Sequence, residues 1–157
     1  MATTELDPQG VLMIRCWRAM IRATTDVRHL VRGGFQEHGL RGAQFAVMRV
    51  LGEAGPEGMK LTDIGDSLSV SCAHVTGLVD HLEEAGYAAR EAHPTDRRAL
   101  LAKLTPRGQA VLDQILPLFV ERLRLVFGCL STEEQQTLAN LLTRLQVHVS
   151  EIGDELE

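Results

Sequence analysis

Two capping hydroxyls, Thr62 and Ser71, limit the folding of this chain more than any other feature. Thr62 stands before residues 63–68 and Ser71 before residues 72–85. A Ser or Thr at such a place accepts from a backbone N–H that the first helical turn leaves unpaired. For Ser71 the N–H would be one near His74. The spacing predicts two short helices joined by a turn of about three residues, the arrangement of a helix-turn-helix. In the second helix Val75, Leu78, Val79 and Leu82 share one face, which must be buried. Gly86 then ends it in the left-handed conformation that Gly adopts cheaply. Gly65 falls where the first helix has to pass close to the second.

Downstream, residues 87–92 and 99–104 flank the turn His93-Pro-Thr-Asp96, where Pro94 fixes one dihedral angle. Two short strands about a charged turn make a hairpin, or wing. Their Ala and Leu content is poor for strands, so this assignment rests on position. Thr105-Pro106 opens another helix, with Pro at the one place where its missing N–H costs nothing. It runs to about Phe127, and Pro117 inside it should kink it, because one backbone bond is lost there. Ser131-Thr-Glu-Glu134 is a capping box before a last helix bearing Leu138, Leu141, Leu142, Leu145, Val149 and Ile152. Near the N-terminus, Met13, Trp17, Met20, Thr24, Val27 and Val31 step by three or four, from about Val11 to a stop at Gly33-Gly34. A further helix covers about residues 43–52, and the Gly-rich segment 52–58 is a turn.

The formal net charge is −5, which taken whole argues against a nucleic-acid partner. Its distribution argues otherwise. Residues 1–49 carry seven basic and four acidic side chains, 50–89 one and seven, and 90–107 five and two. Fields act over about a Debye length, roughly 8 Å at physiological salt, so the basic hairpin keeps its own sign. No apolar run approaches the roughly 18–20 residues of a membrane span. The N-terminus lacks the basic and then apolar blocks of a signal peptide, which points to the cytoplasm. Cys16, Cys72 and Cys129 are odd in number and widely spaced, so they are read as buried or inert thiols. There is no CxxC pair, no three His at metal spacing, no Gly-rich phosphate loop and no nucleophile elbow. No metal, cofactor or enzymatic chemistry is expected.

The first helix and the last two carry more apolar surface than a helix-turn-helix core can cover. Burial is worth roughly 25 cal/mol per Å², so a second copy across a two-fold axis is the economical cover. Such a dimer sets two recognition helices about 34 Å apart, one turn of DNA, to read a pseudo-palindrome. The predicted fold class is mainly α (α+β). Residues 42–104 form a winged helix-turn-helix, and residues 1–41 and 105–157 form a helical dimerisation domain built from both termini.

Asp96-Arg97-Arg98, then five residues, then Leu104-Thr105 form an Asp-x-Arg…Leu-Thr pattern. Upstream stand Leu68-Ser-Val-Ser71, Val75-Thr76, Leu78-Val79-Asp80 and Leu82-Glu83, with Gly86, Arg90 and Gly108 in step. Over nearly its whole length the chain resembles the multiple-antibiotic-resistance-regulator (MarR) family of winged helix-turn-helix transcription factors. The resemblance implies an obligate dimer, major-groove reading by the second helix and minor-groove contact by the wing. It also implies, in many members, a small ligand that changes DNA affinity.

An Arg at a hairpin tip can enter the negative potential of the minor groove, and a carboxylate such as Asp96 can orient it bidentately. The resemblance gives the minor groove to Arg98 and phosphate to Arg97. Residues 71–85 contain no Arg or Lys, and His81 stands where the family usually has Arg. Candidate readers are Ser71, His74, Thr76 and His81, with Cys72 and Ala73 for thymine methyl groups. These types discriminate bases less sharply than Arg does, which leaves part of the specificity to DNA shape. Protonation of His74 or His81 would make affinity rise as pH falls; solvated neutral histidines would not. In the family, the crevice between the dimerisation helices and the DNA-binding lobe often holds an aromatic or amphipathic molecule. Trp17, Met48 and Arg49 are its expected lining, and Trp17 resembles the tryptophan of the urate-responsive branch. Cys16 sits where the organic-hydroperoxide-sensing branch has its reactive cysteine, but the activating tyrosines are missing, since Tyr87 is the only Tyr.

The sequence is therefore read as a dimeric, sequence-specific DNA-binding regulator, a repressor whose affinity a small molecule modulates. Its partners are double-stranded DNA with a pseudo-palindromic operator, a second copy, and a small aromatic or amphipathic ligand, with no membrane. The alternative is a dimeric ligand-binding or protein-interaction protein of the same fold with weak or lost DNA binding.

Overall fold

The computed structural model describes residues 7–93 and 100–156. The chain divides into two compact units, Met1–Val120 and Glu121–Glu157. In the first, the Asp7 carboxylate accepts from the N–H of Gly10 at 2.7 Å, and Pro8 takes the first helical position. Helix α1 (Pro8–Val31) therefore starts three residues before the apolar stripe does. Gly33-Gly34 is not a stop. It opens one further helical turn, α2 (Gly33–Gln36), ahead of α3 (Gly42–Ala54).

A single 3-10 turn, Gly55–Glu57, leads into a two-residue strand, β1 (Met59–Lys60), and then α4 (Leu61–Leu68). Thr62 does not cap α4. The strand runs straight into the helix, so Thr62 lies inside the first turn and its hydroxyl donates to the Asp63 carboxylate at 3.0 Å. Helix α5 (Cys72–Glu84) follows, then β2 (Ala88–Ala92), β3 (Leu100–Leu104) and α6 (Pro106–Phe127), which continues through Pro117.

The hairpin strands pair antiparallel from Ala88↔Leu104 to Ala92↔Leu100. A third strand joins them: β1 pairs with β3 through Met59↔Ala102 and Lys60↔Leu101, giving the order β1-β3-β2. The core gathers Phe45, Val47 and Met48 of α3, Ile64 of α4, Val75, Val79 and Leu82 of α5, and Ile115 of α6. Gly65 is required by the crossing of α4 over the following turn. A Cβ there would lie 2.8 Å from the carbonyl oxygen of Val70, which is backbone and cannot move aside. Helix α1 buries no side chain, and Met13, Trp17, Met20 and Ile21 remain exposed along it.

The second unit holds the end of α6 and helix α7 (Thr132–Leu156). Its capping box is complete. The Ser131 N–H donates to the Glu134 carboxylate at 2.8 Å, and the Glu134 N–H donates to the Ser131 hydroxyl at 3.2 Å. Gln135 Nε2 donates to the carbonyls of Phe127 and Leu130, both at 3.1 Å. Leu138, Leu141, Leu142 and Leu145 are exposed along α7. Among the described residues, no helix is long and apolar enough to cross a membrane.

Candidate nucleic-acid interface

Helix α5 is fixed at both ends. The Ser71 hydroxyl accepts the N–H of His74 at 3.3 Å. At the far end Gly86 takes φ 73°, and the N–H groups of Gly86 and Tyr87 reach back to the carbonyls of Glu83 (2.9 Å) and Leu82 (2.8 Å). With Val75, Val79 and Leu82 in the core, 3.6 residues per turn place Ala73, Gly77, Asp80 and Glu84 on the opposite ridge. The first half of that ridge is bare: Ala73 is exposed, and a Cβ at Gly77 would meet nothing within 4 Å. The second half is acidic.

Each flank of the ridge meets a different neighbour. On one side Arg90 of β2 reaches back to α5. Its Nη1 bonds the Asp80 carboxylate at 2.6 Å and also the Glu83 carboxylate, and its Nη2 donates to the Thr76 carbonyl at 2.8 Å. The Arg90 backbone N–H donates to Glu83 Oε1 at 2.6 Å. On the other side, His74 and His81 form a shallow groove with Arg41 and Gln44 at the start of α3. With the ring proton on Nδ1, His81 donates to the Gly77 carbonyl at 2.6 Å, which leaves Nε2 for another partner. Thr76 is exposed and its hydroxyl donates to the Cys72 carbonyl at 2.9 Å. Ser71, Cys72, Ala73, His74, Thr76 and His81 thus all lie at the exposed side or the leading end of one helix. Asp96, Arg97 and Arg98 lie outside the described residues.

A cleft of about 710 Å³ opens beside the helix-turn-helix. Phe35, Phe45 and Phe119 supply its apolar wall, with Phe35 and Phe45 stacked at 5.2 Å and Phe119 edge-on to Phe45 at 5.0 Å. Arg28, Arg32, Arg41 and Arg49 supply cations, and no carboxylate is among the lining residues described. Arg49 pairs with Glu53, whereas Arg28, Arg32 and Arg41 have no ion-pair partner among the described residues. Leu68, Val70, His74 and Leu78 of the helix-turn-helix close the far side. Arg49 is among the lining residues. Met48, one residue and about 100° of helix away, is fully buried in the core. Trp17 is 59% exposed on α1 and outside this lining. Cys16, Cys72 and Cys129 are free and exposed, so of the reading as buried or inert thiols the buried half is corrected.

The sequence model of the MarR family matches residues 40–100. Over 133 residues the chain is 37% identical to the HTH-type transcriptional regulator YkoM of Bacillus subtilis, covering 84% of each. The chain belongs to the MarR family. Two solved structures share the MarR fold closely. One is a mutant MarR of E. coli complexed with operator DNA, at 25% identity and TM-score 0.76, covering 85% of this chain and 94% of that one. The other is BpsR of Bordetella bronchiseptica, whose DNA binding is regulated by 6-hydroxynicotinic acid, at 25% identity and TM-score 0.74, covering 84% and 98%.

Two features of this MarR-family site escaped the sequence reading. Arg90 entered only as part of a pattern, although Asp80 and Glu83, three apart on a helix without a cation, require a basic partner from elsewhere. Arg28 in the last turn of α1 and Arg32 at its C-cap are four apart, the sequence signal for a shared basic face.

Proposed function

We propose that this MarR-family regulator acts as a homodimer on a pseudo-palindromic DNA operator, as a repressor whose affinity a small aromatic anion modulates. The observation that carries this reading is α5. It is capped at both ends, anchored by Val75, Val79 and Leu82, and bare at Ala73 and Gly77 on the outward ridge. Such a helix can approach the floor of the major groove closely. Ser71, Cys72, Ala73, His74, Thr76 and His81 are its readers. By resemblance Arg98 takes the minor groove, with Asp96 orienting it, and Arg97 takes phosphate.

Residues 42–104 are the DNA-binding domain. Residues 1–41 and 105–157 form the dimerisation domain; the exposed apolar side chains along α1 and along α7 support this, since a second copy would cover them. The aromatic cleft, with no carboxylate among its described lining residues, supports an anionic aromatic ligand, the class of molecule that regulates BpsR. The cleft role belongs to Arg28, Arg32, Arg41 and Arg49, and Cys16 has no assigned role. A DNA-binding regulator works in the cytoplasm and needs no catalytic group.

Binding to the intergenic duplex upstream of the chain's own gene tests this. Specific affinity that falls steeply between about 50 and about 200 mM salt supports it. Arg98→Ala should weaken binding to most sequences. One observation favours a second reading, a ligand-binding dimer that has lost DNA: the ridge ends in Asp80 and Glu84, with no Arg or Lys on the helix. Weak binding indifferent to sequence would establish that reading instead.

A further inference from the structure

Helix α5 carries Asp80, Glu83 and Glu84 and no cation of its own. Set in a groove lined by phosphates, it would be repelled, since like charges placed together at an interface oppose association strongly. Arg90 stands against two of the three carboxylates. Its side chain is 17% exposed, against 53% for Asp80 and 32% for Glu83, so the guanidinium is the inner member of the cluster. Its donors are engaged by both carboxylates and by the Thr76 carbonyl, and the Glu83 carboxylate also holds the Arg90 backbone. A planar fork can satisfy three acceptors in this way, whereas a Lys ammonium is a point charge.

We infer that Arg90 is a positioning residue for DNA binding that makes no DNA contact itself. From strand β2 of the wing its guanidinium, held by Glu83 and the Thr76 carbonyl, offsets one of the two negative charges that Asp80 and Glu83 place on the recognition helix. The helix can then enter a phosphate-lined groove without basic residues of its own. This inference rests on the DNA-binding reading above.

The test measures affinity for a mixed-sequence duplex of about 30 base pairs, at about 50 and about 200 mM salt. Arg90→Gln should weaken binding roughly tenfold or more, because two carboxylates are unmasked. Adding Asp80→Asn and Glu83→Gln to Arg90→Gln should bring affinity back to within about threefold of wild type, since the harm is charge and the charge is gone. Asp80→Asn with Glu83→Gln alone, Arg90 intact, should bind more tightly than wild type and with a steeper salt slope. That double variant keeps the shape of every side chain, so it reads the inference even if Arg90→Gln does not fold. A triple variant as weak as Arg90→Gln, or a double variant no tighter than wild type, overturns the clamp while DNA binding stands. A wild-type chain that binds no duplex at about 50 mM salt removes the DNA-binding reading, and the clamp with it.

Discussion

The Thr105 hydroxyl donates to the carbonyl of Gly86 at 2.7 Å and accepts the N–H of Gly108 at 3.0 Å. One side chain thus joins the end of α5 to the first turn of α6, and the Thr105 N–H adds a bond to the Tyr87 carbonyl at 3.0 Å. Thr105→Val keeps the volume but loses both hydroxyl bonds, so it should cost about 1–2 kcal/mol in denaturant unfolding. Thr105→Ser should stay close to wild type. Equal losses in both variants would show that the hydroxyl does not join the two helices.

Gly108 is set by the same junction. A Cβ there would overlap the carbonyl oxygen of Tyr87, a backbone atom in the turn that leaves α5. Gly108→Ala should therefore destabilise by about 3 kcal/mol, or prevent folding, although Ala is the better helix former. A stable Gly108→Ala protein with unchanged melting would mean that α6 does not lie this close.

These caps and close approaches explain what the sequence could reveal. Ser71, Gly86 and Ser131 act on backbone groups two to four residues away, so their identity alone predicts the helix ends. Thr62 misled because the same type of residue falls one position inside α4 once Met59 and Lys60 pair with β3, and a two-residue strand has no pattern of its own. Met48 and Arg49 are neighbours in sequence, yet successive helical positions point about 100° apart: Arg49 lines the cleft and Met48 is buried in the core. The Arg90 cluster joins residues seven, ten and fourteen apart across two elements, a relation that no local periodicity encodes.

Gly77 offers the contrast to Gly108. It lies inside α5, its φ is not left-handed, and an added methyl group would meet nothing within 4 Å. Gly77→Ala should stabilise the fold by about 0.5–1 kcal/mol, because interior Gly is the poorer helix former. On the proposed interface the same methyl group would stand between the helix and the groove floor, so duplex affinity should fall while the melting temperature rises. A variant that gains in both would place the DNA on another face of α5.

The cleft invites a test that does not depend on DNA. Arg28, Arg32 and Arg41 converge on the Phe35, Phe45 and Phe119 wall with no carboxylate opposite them among the described residues. Exposed cations without partners lose little when one is removed, so Arg32→Gln should leave the unliganded melting temperature almost unchanged. A ligand that binds only the folded chain stabilises it by about 2.7 kcal/mol at a hundred times its Kd. Benzoate, which supplies a ring for the aromatic wall and a carboxylate for a guanidinium fork, should therefore raise the melting temperature of the wild type in a concentration-dependent way. Benzamide matches its shape but not its charge and should raise it less. In Arg28→Gln with Arg32→Gln, which leaves Arg41 and Arg49 in the cleft, the difference between the two compounds should shrink. Equal shifts from benzoate and benzamide in the wild type would show that the arginines do not select an anion.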